Sequence, residues 1–211
     1  MIESEKRLRV LPDAVVENAR TFYAQGGVAA EPRQAATVML VRDTSAGLEV
    51  YMMRRARTMV FAGGLYAFPG GGVDSRDVDV RAAAVRELHE ETGVQGAQLR
   101  LWCRWITPEF EPRRYDTWFY LAAMPDGQQA RDISGEASWA GWMSPADALR
   151  DESVNLLPPT AVTLSELAKL SSVDEAVVSA VNRDLTPVVP KMVWSTDPPT
   201  MALPGDDGYE D

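Results

Sequence analysis

Three glutamates, Glu87, Glu90 and Glu91, stand at positions i, i+3 and i+4 of one short segment. Because an α-helix turns once in about 3.6 residues, these positions share one helix face, and their carboxylates crowd together. Like charges at this spacing repel, so the arrangement is costly unless a cation lies among them. Carboxylate oxygens are hard ligands that suit Mg²⁺, with Mn²⁺ as the alternative. The pattern therefore predicts a divalent metal site, against the alternative of a solvated helix face.

The elements that must position these carboxylates are a glycine-rich turn and the helix itself. The turn is the run Phe68-Pro69-Gly70-Gly71-Gly72, whose glycines let the backbone approach a metal or a phosphate with no Cβ in the way. The helix is predicted over 80–92. Asp79 is expected to be its N-cap, and Gly93 to be a left-handed residue that ends it.

Strands are predicted before and after this helix in the sequence, and further helices follow them. Apolar and aromatic runs predict the strands, at 35–41, 48–53, 65–68, 99–106 and 117–123. Later helices are predicted at 145–149, 163–170 and 173–181, and residues 54–59 are predicted to be loop. One helix inserted among strands, followed by further helices, indicates either an α+β fold or an α/β fold, an α/β/α sandwich with extra C-terminal helices. We divide the chain into an N-terminal arm at 1–33, a main domain at 34–183 and an irregular tail at 184–211.

Composition and charge limit the class of partner. Hydrophobic residues make up 45% of the 211 residues and charged residues 25%, as in a globular protein. No apolar run approaches the roughly 18 residues that cross a bilayer, so no membrane contact is expected. The single cysteine, Cys103, fits a reducing cytoplasm. A net charge of −10 repels nucleic-acid polymers, whereas a divalent ion could bridge a small phosphorylated substrate. A homodimer is left open.

Residues 68–94 carry a resemblance to a known signature, the Nudix box of the Nudix hydrolases. The second half of the box is complete, with Arg86, Glu87, Leu88, Glu90, Glu91, Gly93 and Val94 at the expected positions. In the first half, Asp77 stands where a glutamate is expected, and eight residues instead of seven separate it from Arg86. The resemblance covers about 35–150. It implies an α/β/α sandwich with a mixed sheet and hydrolysis of a nucleoside diphosphate linked to another group.

An aspartate at this position with the eight-residue spacing resembles the first half of the box in one subgroup, the Nudix enzymes that hydrolyse coenzyme A and acyl-CoA. The upstream pattern of that subgroup is matched at Arg54, Ala56, Gly64 and 68–71. Val60 stands where the pattern has a second arginine, and Tyr51-Met52-Met53 replaces its Leu-Leu-Thr. ADP-ribose, nucleotide sugars, dinucleoside polyphosphates and nucleoside triphosphates therefore stay open as substrates. A non-catalytic ligand sensor of the same fold is the second hypothesis.

The resemblance also implies roles for individual residues. Glu87, Glu90 and Glu91 are expected to hold Mg²⁺, with the Gly71 carbonyl as a further ligand. Glu87, or another acidic residue nearby, is expected to act as the general base. Arg86 is expected to orient a glutamate through a charge-assisted hydrogen bond. The catalytic set predicted from the sequence is thus Glu87, Arg86 and Glu90.

Substrate contacts are predicted outside the box. Two arginine pairs could bind phosphate oxygens, and Glu136 could supply an extra acid from a loop; the arginines are Arg54, Arg55, Arg113 and Arg114. For the second pair, surface ion pairs are the alternative. Four aromatic residues, Trp102, Trp105, Trp118 and Phe119, are predicted to be core or interface residues, with a platform for an adenine ring as the alternative.

Overall fold

The computed structural model describes residues 11–56 and 63–209. Within these ranges the helices are α1 (Asp13–Ala24), α2 (Val80–Thr92), α3 (Pro145–Arg150), α4 (Pro158–Leu167) and α5 (Val173–Ser179). The strands are β1 (Arg33–Thr44), β2 (Gly47–Arg55), β3 (Tyr66–Ala67), β4 (Gly70–Gly72), β5 (Arg100–Ile106), β6 (Tyr115–Ala123), β7 (Ala137–Met143), β8 (Lys191–Val193) and β9 (Thr200–Ala202). No helix in these ranges is both long and apolar enough to cross a bilayer.

β1 is the central strand of a seven-stranded mixed sheet. It runs parallel to β6, in register from Arg33 opposite Tyr115 to Val41 opposite Ala123, and antiparallel to β2 and β4. β5 continues the sheet beyond β6, while β3 and β7 pair with β2. A mixed sheet with helices on it agrees with the predicted α/β class.

The two faces of the sheet bury different helices. Val38 and Leu40 of β1 belong to a buried cluster with Leu88 of α2. Met39 and Val41 alternate with them and belong to a second cluster, with residues of α3, α4 and α5. A strand that is buried on both faces reads as a continuous apolar run, which is why the sequence of β1 lacks polar alternation. The sheet therefore lies between helix α2 and the C-terminal helices.

The helix that carries the glutamates has the predicted bounds. The Asp79 side chain accepts a hydrogen bond from the Ala82 N–H at 2.7 Å, and Gly93 has φ 76° and donates to the His89 carbonyl. Both ends are thus closed by the residues that the sequence indicated. Val85 of this helix is 48% exposed, whereas Ala83, Ala84 and Leu88 are buried and form its apolar face.

Other segments differ from the prediction. β2 continues through Arg55, so the start of the predicted loop at 54–59 is strand, and residues 57–59 lie outside the described residues. α4 begins at Pro158 and not at 163. Proline is favoured in the first helical turn because its missing N–H would have no partner there. The tail is not irregular throughout, because β8 and β9 form a two-stranded antiparallel sheet.

The arm and the tail pack against each other beside β5 and β6. The Asn18 side chain of α1 donates to the Phe110 carbonyl at 3.1 Å. The Tyr23 ring meets the Trp194 ring edge-on, with centroids 6.1 Å apart. The Val188 N–H donates to the Arg104 carbonyl, which adds one residue of the tail to the edge of β5. The division at 1–33, 34–183 and 184–211 stays a prediction.

One polar cluster ties the C-terminal helices to the sheet. The Glu166 carboxylate accepts hydrogen bonds from Trp102 Nε1 at 2.5 Å and from the Arg183 guanidinium at 2.7 Å. The guanidinium also lies over the Trp102 ring, 3.9 Å from its centroid, and donates to the Trp102 carbonyl. Because Trp102 is buried, its indole N–H depends on Glu166 for a hydrogen bond.

We expect Glu166→Ala to lower the free energy of unfolding by about 2 kcal/mol, because it leaves the Trp102 N–H buried without an acceptor. Urea denaturation measures this change. The matched control is Asp147→Ala, which removes an exposed ion pair with Arg150 and should cost no more than about 0.5 kcal/mol. Equal losses in the two variants would contradict the role assigned to Glu166.

Candidate active site

Glu91 is the most enclosed acidic side chain of helix α2. It is 7% exposed, and its Oε2 accepts a hydrogen bond from the Gly70 N–H at 2.7 Å. Burial raises the pKa of Glu91 to about 7, although the Gly70 N–H and Arg55 act in the opposite direction. The negative charges of Glu87 and Glu136 raise this pKa further. The structure thus holds a carboxylate whose ionised form is disfavoured by its surroundings.

The glycine strand makes room for the second carboxylate, Glu87. β4 pairs with β1, with Gly71 opposite Ala36, and a Cβ at Gly71 would overlap the Glu87 carboxylate. A Cβ at Gly70 would overlap the backbone of β1 instead. Burial also raises the pKa of Glu87, although Arg86 lowers it. Gly70 is therefore required by the close approach of the β1 backbone, and a side chain at Gly71 would displace the Glu87 carboxylate.

Arg86 links the glutamate helix to the loop before it. Its guanidinium donates to both Asp77 carboxylate oxygens, at 3.0 and 2.8 Å, and to the Gly72 carbonyl at 3.0 Å. One of its nitrogens, Nη1, also donates to Glu87 at 2.7 Å and to Glu90 at 3.0 Å. The Asp77 side chain is only 4% exposed, and the hydrogen bonds from Arg86 lower its pKa. The predicted orienting role of Arg86 thus has a geometric basis.

A pocket beside Glu91 brings two of the predicted substrate residues together. Its lining includes Arg55, Phe68, Glu91 and Glu136. The loop that carries Glu136 is fixed at one end to α2, where the Ile133 N–H donates to the Glu91 carbonyl. At its other end the Glu136 carbonyl accepts from the Ala56 N–H. Glu136 therefore faces the helix carboxylates from across the pocket.

The other predicted substrate residues do not line this pocket. Neighbouring strand residues face opposite sides of a sheet, so Arg54 lies on the other face from Arg55. Arg54 Nε donates to the Gly64 carbonyl at 3.4 Å. Arg114 donates to the carbonyls of Thr107 and Ala30, which fixes the arm.

Arg113 is exposed and makes no recorded polar contact in the described part of the chain. The substrate roles of Arg54, Arg113 and Arg114 stay predictions that the pocket does not support.

The aromatic residues divide into core and surface. Trp102, Trp105 and Phe119 are each at most 4% exposed and pack in the cluster on the C-terminal helix side. They are core residues, so the alternative of an adenine platform is excluded for these three. Trp118 is half-buried and lies under the Arg104 guanidinium, 4.6 Å from its ring centroid.

The donor set suits a hard divalent cation. Glu87 and Glu91 of α2 and Glu136 of the facing loop offer carboxylate oxygens, and a cation would offset the burial and the mutual repulsion that raise the pKa values of Glu87 and Glu91. Among residues 11–56 and 63–209, no three Asp, Glu, His or Cys side chains lie close enough together in this conformation to hold a metal. Glu87 and Glu90 are bonded to Arg86. A bound cation would therefore compete with Arg86 for these two carboxylates.

Comparison with known proteins places the chain in a family. The sequence model of the NUDIX domain matches residues 31–161, which is more than half of the chain. The chain therefore belongs to the NUDIX domain family, the family of the Nudix hydrolases, and its members use divalent metal cations. The predicted family and fold class are confirmed.

Two curated relatives and one solved structure are similar to the chain. It is 29% identical to "Putative nudix hydrolase 7" of Caenorhabditis elegans over 193 residues, 71% of this chain and 64% of that protein. It is 29% identical to "Acyl-coenzyme A diphosphatase NUDT19" of Xenopus laevis over 121 residues, 53% of this chain and 32% of that protein.

The crystal structure of a NUDIX hydrolase from Alicyclobacillus acidocaldarius has a TM-score of 0.64 at 22% identity, covering 71% of this chain and 96% of that one. This likeness shows the fold. The chain spans less than two thirds of the length of each of the two curated relatives.

We expect Asp77→Asn to lower hydrolysis by roughly tenfold or more, because it removes the charged acceptor that fixes Arg86, and hence Glu87. Initial rates against a pyrophosphate substrate with Mg²⁺ measure the effect. The matched control is Asp74→Asn, which affects an exposed pair with Arg76 and should leave the rate within twofold of wild type. The role assigned to Asp77, which is to fix the position of Arg86, is contradicted if both variants keep the full rate.

The raised pKa of Glu91 predicts a pH dependence of stability in the absence of metal. The folded protein keeps a proton on Glu91 up to about pH 7, whereas the unfolded chain loses it near the ordinary value of 4.5. Stability should therefore fall as the pH rises from 4.5 to 7, by roughly 3 kcal/mol at most for this group.

Thermal unfolding between pH 5 and pH 8 in EDTA measures this change, and Glu91→Gln should flatten the curve. A wild-type Tm that rises over the same range would contradict the assignment.

Proposed function

We propose that the protein is a Mg²⁺-dependent hydrolase that cleaves the pyrophosphate linkage of a nucleoside diphosphate derivative, with coenzyme A or an acyl-CoA as the leading substrate. The observation that carries the proposal is the pair of carboxylates, buried Glu91 and half-buried Glu87, held against the glycine strand with raised pKa values. A structural ion pair would not require carboxylates in a position that disfavours their charge.

The residues of the chain divide the work of hydrolysis among them. When bound, Mg²⁺ would neutralise phosphate charge and lower the pKa of a water molecule. Glu87, Glu90 and Glu91 would hold the ion, with the Gly71 carbonyl as a further ligand. Arg86 would orient Glu87, and Arg55 would bind a phosphate oxygen from the other side of the pocket.

The base that takes the proton from the attacking water is Glu87 or Glu136. Glu87 is bonded to Arg86 at 2.7 Å, which limits its ability to accept a proton. The Glu136 carboxylate makes no recorded hydrogen bond among the described residues, and it faces Glu91 across the pocket. This difference favours Glu136, which the sequence alone indicated only as an extra acid.

Coenzyme A leads the substrate list for two reasons. Asp77 with its eight-residue spacing resembles the coenzyme A subgroup, and the Xenopus relative named as an acyl-coenzyme A diphosphatase is 29% identical over 121 residues. ADP-ribose, nucleotide sugars and nucleoside triphosphates remain alternatives. We also propose a cytoplasmic location, which the single cysteine, Cys103, supports. The proposed partner is a small phosphorylated molecule and not a nucleic-acid polymer, because the net charge is −10.

A non-catalytic ligand sensor is the second candidate function. Degenerate domains of this kind are expected to have lost a carboxylate of the helix. Here Glu87, Glu90 and Glu91 are all present, and Arg86 is bonded to two of them. The intact cluster favours the enzyme.

We expect Glu91→Gln to reduce hydrolysis by about a hundredfold or more, because it removes a charged ligand of the cation. The assay measures phosphorylated products from coenzyme A, ADP-ribose, nucleotide sugars and nucleoside triphosphates with Mg²⁺. The matched control is Glu49→Gln on β2, which removes a surface pair with Arg42 and should keep the wild-type rate. Wild-type inactivity on the whole panel, or full activity of Glu91→Gln, would sink the proposal.

A further inference from the structure

Tyr51 of β2 carries a buried hydroxyl that the fold leaves unpaired. The side chain is 1% exposed, and its Oη has no hydrogen-bond partner within residues 11–56 and 63–209. Its ring meets the Trp142 ring edge-on, with centroids 5.4 Å apart, so the ring itself is well packed. A buried polar group without a partner is rare and lowers stability, so the presence of this hydroxyl needs an explanation.

Tyr51 lies on the sheet face that carries the carboxylate site. Tyr51 and Met53 are two residues apart on β2, so they share a sheet face, and Met53 lines the pocket of Glu91. Tyr51 also belongs to the same buried cluster as Leu88, which precedes Glu91 by three residues on α2. The charges that act on the hydroxyl are those of Asp132 and Glu91. The residue thus faces the helix and the loop that together carry the candidate site.

The two carboxylates differ in their burial and in the partners that hold them. Asp132 Oδ1 accepts hydrogen bonds from the Ser134 N–H at 3.0 Å, from the Ser134 hydroxyl at 2.9 Å and from the Gly135 N–H at 3.1 Å. It is therefore engaged within its own loop. Glu91 receives one hydrogen bond, from Gly70 to Oε2, and its Oε1 has none among the described contacts. A carboxylate accepts several hydrogen bonds, and Glu91 is the more buried of the two, so we take Glu91 as the acceptor for a buried hydroxyl.

We propose that Tyr51 is a positioning residue for Glu91, whose hydroxyl donates a hydrogen bond to the carboxylate oxygen left open by Gly70 when the site holds its divalent cation. The inference rests on the proposed function, since it assigns to Tyr51 the orientation of a metal ligand. Burial raises the pKa of Tyr51 to about 12, and the charges of Asp132 and Glu91 act in the same direction, so the hydroxyl stays a donor. Gly70 and Tyr51 would then fix both oxygens of Glu91.

The test compares two Tyr→Phe variants, of Tyr51 on β2 and of Tyr120 on β6, whose rings lie near opposite ends of α2. Tyr51→Phe removes only the hydroxyl and keeps the ring. Tyr120→Phe is the matched control, because Tyr120 is also buried on this face, at 3% exposed, but the charges that act on it are those of Arg81 and Asp79 at the other end of the helix. Isothermal titration with MgCl₂ and no substrate measures the affinity for the cation, and thermal unfolding in EDTA measures the metal-free fold.

We expect Tyr51→Phe to weaken Mg²⁺ binding by about tenfold or more, the usual effect of removing a residue that orients a metal ligand. Its Tm in EDTA should equal or exceed that of wild type, because the removed hydroxyl has no partner there. Tyr120→Phe should bind Mg²⁺ as wild type does. Tyr51→Phe should also lower kcat at saturating Mg²⁺ and substrate by less than Glu91→Gln does.

The outcomes separate this inference from the proposed function. Wild-type affinity for Mg²⁺ in Tyr51→Phe would overturn the role of Tyr51 and leave the hydrolase proposal standing. Equal losses of affinity in both Tyr→Phe variants would overturn it as well, since the effect would be one of packing. Absence of Mg²⁺ binding and of hydrolysis in the wild type would overturn both. A folded Tyr51→Phe protein with weakened binding beside an unaffected Tyr120→Phe protein supports the assignment.

Discussion

The burial of the Glu91 carboxylate between helix α2 and the glycine strand is the constraint on which the site depends. Its Oε2 is tied to the Gly70 N–H at 2.7 Å, so the carboxylate cannot turn out to water without losing that bond. Removing a charge from water is unfavourable, and the nearby Glu87 and Glu136 add repulsion. Such a cluster is stable only when it is protonated, paired with Arg86 or bound to a cation. The site therefore favours binding of a cation, which stabilises the carboxylate charges that water does not reach.

The surrounding elements can be understood from this constraint. β4 needs a glycine at Gly70 because the β1 backbone lies against it, and a side chain at Gly71 would displace the Glu87 carboxylate. Arg86 holds the carboxylates while Asp77 and the Gly72 carbonyl hold Arg86, so the loop and the helix form one hydrogen-bonded unit. β1 supplies the central support, since it pairs with β4 on one side and with β6 on the other. The arm and the tail lie beside β5 and β6, and the residues we placed in the site come from neither.

The sequence predicts well where a local signal is sufficient. The bounds of α2 follow from Asp79 and Gly93 because a cap and a left-handed glycine act within one turn of the helix. The site is less predictable where it depends on strand register. Arg54 and Arg55 are adjacent in sequence, and only the continuation of β2 shows that they face opposite sides of the sheet. Tyr51 reads as one more apolar strand residue, because nothing local shows that its hydroxyl is unpaired. Tertiary contacts also decide the sheet of the tail, where short segments carry weak signals.

The central claim is that the buried Glu91 carboxyl gives up a proton when the site accepts a divalent cation, and proton release during Mg²⁺ binding tests it most directly. Calorimetric titration in two buffers of different ionisation enthalpy measures the number of protons released. With the pKa of Glu91 at about 7, roughly one proton per Mg²⁺ should be released at pH 6, and almost none at pH 9. Binding without proton release at pH 6, or no binding at either pH, would contradict the account.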